Sequence, residues 1–356
     1  AEVKGAVSKI EEVMGARFGA RDNPLLLSVR SGARISMPGM MDTILNLGLN
    51  DSTVEGLAKK TQNPRFAYDS YRRFLQMDSN VVLGIDSQIF EKLIEEKKEE
   101  KGVRQDTELD ENDLKNLVRL FKGEVHKELG HDFPTDPWKQ LWDAIGAVFH
   151  SWKPRRAIEY RKIHQIPEEW GTAVTVQAMV FGNMGQDSAT GVAFTRDPST
   201  GEKKFFGEYL INAQGEDVVA GIRTPRPINA GSGNGDDNGS LEKMMPAAYK
   251  TLGEIQQKLE SYYKDMQDIE FTIQRGQVWM LQTRSGKRSG QAAVRIAVEM
   301  VREKIFDEKV AILRVEPSHL DQLLHPTIDP KAKKEVLTKG LAASPGAAVG
   351  RVVFTA

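Results

Sequence analysis

Four polar side chains in the second half of the chain have the types and the spacing of a site for a metal ion and phosphate groups. Asp268 and Glu270 lie two residues apart, and Gln282 and Arg284 repeat this spacing after a short intervening segment. Mg²⁺ prefers hard oxygen ligands and usually takes only one or two from the protein, while phosphates and water supply the rest. A nearby arginine suits the phosphate oxygens. The four side chains would therefore suit Mg²⁺ with an attached polyphosphate if the fold places them on one surface.

A β-hairpin is the element that would bring these side chains together. Polar and apolar residues alternate over 268–273, a turn composition follows at 274–277, and a second apolar run occupies 278–281. Residues two apart on a strand share a face. The predicted polar face carries Asp268, Glu270 and Thr272, and the predicted core face carries Ile269, Phe271 and Ile273. Glu270 and Gln282 could then lie opposite or nearly opposite each other on the paired strands. A solvated face with cross-strand charge pairs stays open as the alternative.

An earlier segment, residues 25–42, has the composition of an anion-binding loop. A short apolar strand at 25–29 runs into 30–34 (Arg-Ser-Gly-Ala-Arg), which offers two cations, a hydroxyl and a flexible glycine where the strand ends. Backbone N–H groups and arginine donors in such a loop bind anions. Arg30 and Arg34 are therefore candidate phosphate ligands, and the alternative that both are ordinary surface charges stays open.

Several segments of the chain resemble the nucleotide-binding part of the pyruvate, phosphate dikinase family. They run in order over nearly the whole chain, and the string Met-Pro-Gly-Met-Met-Asp at 37–42 resembles the dikinases more than the related phosphoenolpyruvate synthases. The segments are 28–42, 43–49, 66–74, 191–198, 207–221 and 281–284. The resemblance implies an α+β fold: an ATP-grasp nucleotide-binding domain with a helical insert, followed by linker helices.

The resemblance and the residue patterns together predict the domain organisation. Residues 1–50 are expected to form the first part of an ATP-grasp subdomain, 51–135 a helical insert, 136–180 the second part of the subdomain, 181–288 a metal- and phosphate-binding subdomain, 289–339 a helical linker, and 340–356 a hinge and the truncated start of a swivelling phosphohistidine domain. Six apolar residues at helical spacing are predicted to be core. They are Trp138, Leu141, Trp142, Ile145, Phe149 and Trp152.

The family's reaction converts ATP, inorganic phosphate and pyruvate to AMP, pyrophosphate and phosphoenolpyruvate. By resemblance, this part binds Mg²⁺ and ATP as substrate, and phosphorylates a histidine on the enzyme's own central domain. That domain and the pyruvate site on a C-terminal domain are expected to be absent here, because none of the six histidines has the neighbours of the family's carrier histidine. Two alternatives stay open: a phosphoenolpyruvate synthase-type enzyme, and a fragment that no longer binds ATP because a glycine-rich, lysine-bearing opening segment is missing.

The resemblance and the side-chain chemistry assign a role to each candidate residue. Arg30 and Arg284 are the expected catalytic residues, and Glu270 and Gln282 the expected Mg²⁺ ligands. The expected nucleotide-binding residues are Arg30, Arg34, Gln177, Met179, Val180, Glu216, Asp217, Asp268 and Arg284. In the family, a Gln-x-Met-Val segment such as 177–180 lies beside the base.

The carboxylates of Glu216 and Asp217 could accept bonds from ribose hydroxyls or from the outer metal shell. Ion pairs of these carboxylates with Arg223 or Arg226 stay open as an alternative, as does an ordinary strand role for residues 177–180.

Composition excludes several other classes of protein. A length of 356 residues suggests two or three domains, and the absence of cysteine excludes disulfides and thiol chemistry. The formal net charge of −1 gives no bulk attraction to nucleic acid or membranes, so neither is expected as a partner. No apolar run approaches the roughly 18 residues of a membrane-spanning helix. The expected location is the cytoplasm, or an organelle if a transit peptide has been removed.

Overall fold

The computed structural model describes residues 2–35, 37, 39–219, 223–230 and 239–324, together with 329, 331–333, 335, 337, 338, 350 and 351; the side chains of residues 216 and 219 are not among them. The chain divides into two compact units, Ala1–Met179 and Val180–Ala356. The predicted boundary between 180 and 181 lies one residue from this division, and the other predicted boundaries stay predictions. The predicted hinge and swivelling-domain segment, 340–356, lies outside the described residues except at 350 and 351.

The first unit contains a small antiparallel sheet and a set of helices. Its helices are α1 (Glu2–Met14), α2 (Asp51–Thr61), α3 (Pro64–Val81), α4 (Ser87–Lys101), α5 (Glu111–Leu129), α6 (Pro137–His150) and α7 (Arg155–Ile163). Its strands are β1 (Arg17–Phe18), β2 (Pro24–Leu25), β3 (Leu27–Ser31), β4 (Thr43–Leu47) and β5 (Val174–Ala178). β3 is the central strand of the order β4-β3-β5, and β1 pairs with β2 in parallel.

Local signals in the sequence explain where the helices of the predicted insert begin. Asn50 and Asp110 each cap a helix by accepting bonds from the first backbone N–H groups, and each completes a capping box with the residue three positions later. Asp86 caps α4, and Gly102 ends it in the left-handed conformation that glycine adopts without strain. Residues 51–135 thus contain the helices α2, α3, α4 and α5, and their assignment to an insert stays a prediction.

The apolar stripe predicted for α6 is only partly core. Leu141, Ala144 and Val148 are buried against the sheet side of the helix, whereas the side chains of Trp142 and Phe149 are each 48% exposed. The prediction that Trp142 and Phe149 are core residues is wrong. At 100° per residue, positions 142 and 149 lie on the helix face next to the one that packs, so a spacing rule with a wide apolar arc includes them.

The second unit contains a five-stranded antiparallel sheet in the order β10-β9-β6-β7-β8. Its strands are β6 (Ala189–Phe194), β7 (Phe206–Ile211), β8 (Arg226–Pro227), β9 (Gln267–Gln274) and β10 (Gln277–Ser285). Its helices are α8 (Gly215–Val219), α9 (Leu241–Met244), α10 (Pro246–Tyr263), α11 (Gly290–Arg302), α12 (Glu308–Arg314) and α13 (Pro317–Leu324). The mixture of helix and sheet in the two units confirms the predicted α+β class.

One face of the five-stranded sheet packs against α10. Ile269, Phe271 and Ile273 on β9 are fully buried there, in the same apolar cluster as Leu252 of the helix. The close approach of Phe271 to β6 depends on Gly191, because a Cβ at that position would lie 2.6 Å from the Phe271 ring. The predicted core face of β9 is therefore confirmed.

No helix in the part of the chain that the structure describes combines the length and the apolar character needed to cross a bilayer.

Candidate functional site

The pairing of β9 with β10 places the four predicted polar residues in two opposite pairs. Gln282 pairs with Glu270, and Arg284 pairs with Asp268, in the register of β9 and β10. Paired residues of neighbouring strands project to the same side of a sheet. The register predicted from the spacing of Glu270 and Gln282 is therefore confirmed, and all four side chains stand on the face that points away from the α10 core.

A β-bulge in β10 is the reason for this arrangement. The register shifts between Met280 and Gln282, so Leu281 is an extra residue on its strand. Met280 packs against the core, and strict alternation would have put Gln282 and Arg284 on that same core face. Because a bulge sets two residues opposite one, it reverses the phase of the alternation after it. The bulge thus delivers Gln282 and Arg284 to the polar face.

Arg284 holds both carboxylates of this face. Its Nε donates to Asp268 Oδ2 at 2.7 Å, and its Nη2 donates to Glu270 Oε1 at 3.3 Å. The side chains are 36% exposed for Arg284, 24% for Glu270 and 12% for Asp268. The hairpin face is therefore not a freely solvated surface, and its ions lie where water screens them less than at an exposed site.

Burial and charge shift the pKa values of these groups. Burial raises the pKa of the Asp268 carboxyl; the bond from Arg284 opposes this shift, and the negative charge of Glu270 adds to it. The pKa of Arg284 is also raised, because its contacts with Asp268 and Glu270 outweigh the effect of burial. Arg284 is accordingly a permanent cation between two carboxylates.

The predicted metal ligands have suitable chemistry for Mg²⁺. Glu270 supplies a carboxylate and Gln282 an amide oxygen, which are hard donors, and the two residues are directly paired across the hairpin. Among the described residues, no group of three or more histidine, cysteine, aspartate or glutamate side chains is placed to hold a metal ion. The pair fits an ion that takes one or two protein ligands and completes its shell with phosphate oxygens and water.

Glu208 is a further carboxylate on this face that the sequence reading missed. Val192 of β6 pairs with Glu270 on one side and with Glu208 of β7 on the other. The three residues form one row across the sheet, and two strand spacings separate the glutamates by about 10 Å at the backbone. Burial raises the pKa of Glu208. The signal available in the sequence was a single charged residue inside the apolar strand 206–211.

The early arginines lie in the first unit, where the chain supports them on two sides. Arg30 belongs to β3 and pairs with Thr43 on one neighbouring strand and Thr175 on the other. After it, the N–H of Gly32 donates to the carbonyl of Ala173 at 2.7 Å. The start of the predicted loop is thus fixed to the residues that lead into β5.

Arg34 lies further along the same loop and is exposed. Its guanidinium stacks over the ring of Trp170, with 4.7 Å between the guanidinium carbon and the ring centroid. Such a contact is worth about 0.5–1 kcal/mol at an exposed site. Position 36, just before the Met-Pro-Gly-Met-Met segment, and position 38 within it lie outside the described residues.

The candidates for base contacts lie at the end of β5 and directly after it. Gln177 pairs with Ser28 of β3, and the N–H of Met179 donates to the carbonyl of Leu26 at 2.9 Å. Both residues are half-buried in the first unit, and Val180 is the half-buried first residue of the second. Within the first unit, the structure brings Arg30 and Gln177 onto neighbouring strands, because Gln177 lies two positions along β5 from Thr175, the partner of Arg30.

The two acidic candidates after β7, Glu216 and Asp217, are in the short helix α8. Asp217 accepts a bond from the backbone N–H of Gln214 at 2.8 Å through Oδ2. Arg223, proposed above as an alternative partner, donates to the carbonyl oxygens of Ile211 and Asn212. The side chain of Glu216 lies outside the described residues.

Comparison with known proteins identifies relatives over the full length of this chain. The chain matches the family described as "Pyruvate phosphate dikinase, AMP/ATP-binding domain" over residues 1–236 and 236–305. It is 55% identical over 356 residues to a pyruvate, phosphate dikinase of Rhizobium meliloti (strain 1021), a match that covers 99% of this chain and 40% of the relative. It is 58% identical over 355 residues to the enzyme of that name from Clostridium symbiosum, covering 99% of this chain and 39% of the relative. A chloroplastic pyruvate, phosphate dikinase of Flaveria trinervia is 57% identical over 357 residues, which are 36% of its length. The chain therefore spans about two fifths of the length of the relatives it matches.

Proposed function

Because the chain belongs to the family of the pyruvate phosphate dikinase AMP/ATP-binding domain, we propose that it is the nucleotide-binding portion of a pyruvate, phosphate dikinase. In this proposal it binds Mg²⁺ and ATP and transfers a phosphoryl group to a histidine on another domain of the same enzyme. The relatives described above are dikinases, which favours this family over the phosphoenolpyruvate synthase alternative.

The polar face of the hairpin is the observation that carries the proposal. Glu270 and Gln282 are paired, and Asp268 and Arg284 form the adjacent pair on the same face. This arrangement joins two hard oxygen donors to a cation that can reach phosphate oxygens. A sheet face selected only for solubility does not require a bulge that turns an amide and a guanidinium toward two carboxylates.

Phosphoryl transfer requires the protein mainly to align the reacting groups and to balance charge on the phosphates. Glu270 and Gln282 would hold Mg²⁺, which would supply positive charge to neutralise part of the charge on the phosphates. Arg284 would donate to phosphate oxygens, where a preorganised donor contributes several kcal/mol if water is excluded. Arg30 is proposed as a further catalytic donor to phosphate, on residue chemistry and the family resemblance alone. Asp268 orients the Arg284 guanidinium through the 2.7 Å bond to Nε.

The remaining candidates would hold the rest of the nucleotide. Gln177, Met179 and Val180 are proposed to line the base, Glu216 and Asp217 to accept bonds from the ribose, and Arg34 to contact phosphate. Each of these roles rests on residue chemistry and on the family resemblance.

The complete reaction is proposed to convert ATP, inorganic phosphate and pyruvate to AMP, pyrophosphate and phosphoenolpyruvate. The carrier histidine and the pyruvate site would lie in parts of the enzyme beyond this chain, which spans about 40% of one relative. A cytoplasmic location stays a prediction; the Flaveria trinervia relative is named as chloroplastic.

The test is calorimetric titration of the chain with a non-hydrolysable ATP analogue, with and without Mg²⁺. The wild-type chain should bind the analogue more tightly when Mg²⁺ is present. Glu270→Gln keeps the size of the side chain but removes its charge, and it should abolish most of that metal-dependent gain.

Glu254→Gln is the matched control, because Glu254 is an exposed carboxylate on α10, the helix that packs against the other face of the sheet. It should behave as the wild type. Absence of binding by the wild-type chain would refute the proposed nucleotide site, and an unchanged Mg²⁺ dependence in Glu270→Gln would refute the assigned metal ligand.

A further inference from the structure

Arg284 forms an ion pair with the carboxylate of Glu270, which is proposed to bind the metal. Its Nη2 lies 3.3 Å from Glu270 Oε1, while its Nε lies 2.7 Å from Asp268 Oδ2. A divalent cation bound to Glu270 would stand within a few ångströms of this guanidinium, and two cations at that distance repel each other strongly in a partly buried site. The metal and the guanidinium therefore compete for Glu270.

We propose that Arg284 is a placeholder cation: it neutralises Glu270 in the absence of nucleotide, so that a divalent metal ion is admitted to the hairpin face only together with a polyphosphate. This inference rests on the proposed function and adds to it the order in which the site is filled.

The two hydrogen bonds of Arg284 differ in length, and we expect the longer one, to Glu270, to be the one that phosphate oxygens replace. The contact with Asp268 is the shorter, and Asp268 is the more buried carboxylate, at 12% exposure against 24% for Glu270. A charge-assisted bond at 2.7 Å is stronger than one at 3.3 Å. The guanidinium can therefore keep Nε on Asp268 while its Nη2 leaves Glu270 and turns to phosphate oxygens.

The polyphosphate supplies what the exchange needs. It brings anionic oxygens that attract the guanidinium away from Glu270 and that also bind the incoming metal ion. Metal and polyphosphate then favour each other's binding, and by thermodynamic linkage the coupling is equal in both directions. Without polyphosphate, the metal ion must displace the Arg284 guanidinium from Glu270, and no phosphate oxygen replaces the lost bond. Metal binding is therefore weak.

The test measures Mn²⁺ binding to the chain without nucleotide, by the electron paramagnetic resonance signal of free Mn²⁺. Arg284→Gln removes the guanidinium and should bind Mn²⁺ at least about tenfold more tightly than the wild type, a change within the usual range of coupling between sites. Adding Glu270→Gln to that variant should remove the gain, because the new affinity depends on the released carboxylate.

Arg288→Gln is the matched control. It removes the same charge from the same end of the hairpin, but Arg288 bonds to Asp265 at 2.8 Å rather than to the site carboxylates, and Asp265 keeps contacts with Ser285 and Arg314. Its affinity for Mn²⁺ should stay within about twofold of the wild type. An equal gain in both variants would show that general charge is responsible, and no gain in Arg284→Gln would overturn the placeholder.

A second measurement uses the wild-type chain and does not depend on the folding of a variant. In chains labelled with ¹⁵N-arginine, millimolar Mg²⁺ alone should leave the Arg284 Nε–H resonance unchanged, and Mg²⁺ with the ATP analogue should shift it. A shift with Mg²⁺ alone would overturn the proposal. Because the Mn²⁺ titration contains no nucleotide, its failure is distinct from a failure of the chain to bind ATP.

Discussion

Replacement of Arg196 by methionine should destabilise the unit that carries the hairpin. Arg196 lies two residues after β6, and its side chain is fully buried, with 0% exposure. Its guanidinium donates to Glu260 at 2.8 Å, to Glu303 at 2.8 Å and to Glu299 at 3.4 Å. These bonds connect the end of β6, the strand beside β9, to the helices α10 and α11.

Glu260 determines most of the expected cost. The other two glutamates keep cations of their own, Arg295 at 2.8 Å and Lys203 at 2.6 Å. Glu260 is only 8% exposed and would keep the hydroxyl of Thr195 at 2.8 Å, which carries no charge. A buried ion that loses its counter-ion costs about 3–5 kcal/mol, so Arg196→Met should lower the free energy of unfolding of this unit by that amount.

Native-state hydrogen exchange of the β6 and β9 amides is the appropriate assay. The chain has two compact units, so whole-chain unfolding need not be two-state, whereas amide exchange reports the stability of one region. The double variant Arg196→Met with Glu260→Gln removes the stranded charge and should be more stable than Arg196→Met alone, by at least about 1 kcal/mol.

Arg295→Met is the control for this prediction, since Arg295 is 44% exposed and its pair with Glu299 should contribute less than about 1 kcal/mol. A loss in Arg196→Met no larger than in this control would refute the reasoning. So would a double variant that is as unstable as the two single losses added together.

Two further predictions concern packing and pH. Gly191→Ala would place a Cβ 2.6 Å from the Phe271 ring and 2.6 Å from the Glu208 carbonyl oxygen, so it should cost about 1–3 kcal/mol in the exchange of the β6 and β9 amides. Phe271→Leu in the same chain should recover part of the loss, and unchanged stability in Gly191→Ala would contradict this packing. Burial, with a contribution from the charge of Asp143, raises the pKa of Asp78 to about 7. Because the folded state then holds a proton that the unfolded state has released above about pH 4, this carboxyl lowers stability as pH rises from about 4 to 7. Asp78→Asn should therefore gain more than about 1 kcal/mol on the wild type between pH 4 and pH 8, measured by native-state exchange of the α3 amides, and a pH-independent difference would contradict the raised pKa.

Much of the candidate site could be predicted from the sequence, because strand alternation and turn composition depend on residues close together along the chain. Alternation over 268–273 depends only on the geometry of one strand, and it correctly divided the polar face from Ile269, Phe271 and Ile273. The turn composition at 274–277 placed the end of the hairpin correctly and set the register to within one residue, and the bulge at Leu281 then pairs Gln282 with Glu270. Family resemblance over the whole chain then identified the class of protein.

Contacts between distant segments could not be derived in the same way. Glu208 joins the row of Glu270 only through Val192, a relation that depends on which strands are neighbours in the sheet. Arg196 belongs to a charged string in the sequence, Thr-Arg-Asp-Pro, that gives no sign of full burial among three glutamates. Trp142 and Phe149 fit a helical core pattern and are nevertheless half exposed, because the arc of a helix that packs depends on its neighbours.

The sequence by itself determined the hairpin and the chemical types on the polar face of β9, because strand alternation and turn preference depend on residues close together along the chain. The fold class came from the family resemblance. The tertiary structure alone decided that Leu281 bulges and that Arg284 bridges Asp268 and Glu270. A bulge reverses the faces of every residue after it, yet a regular strand and a bulged one have the same local composition. The choice between them is made by the backbone hydrogen bonds with the neighbouring strand, together with the cost of burying an amide and a guanidinium in the core.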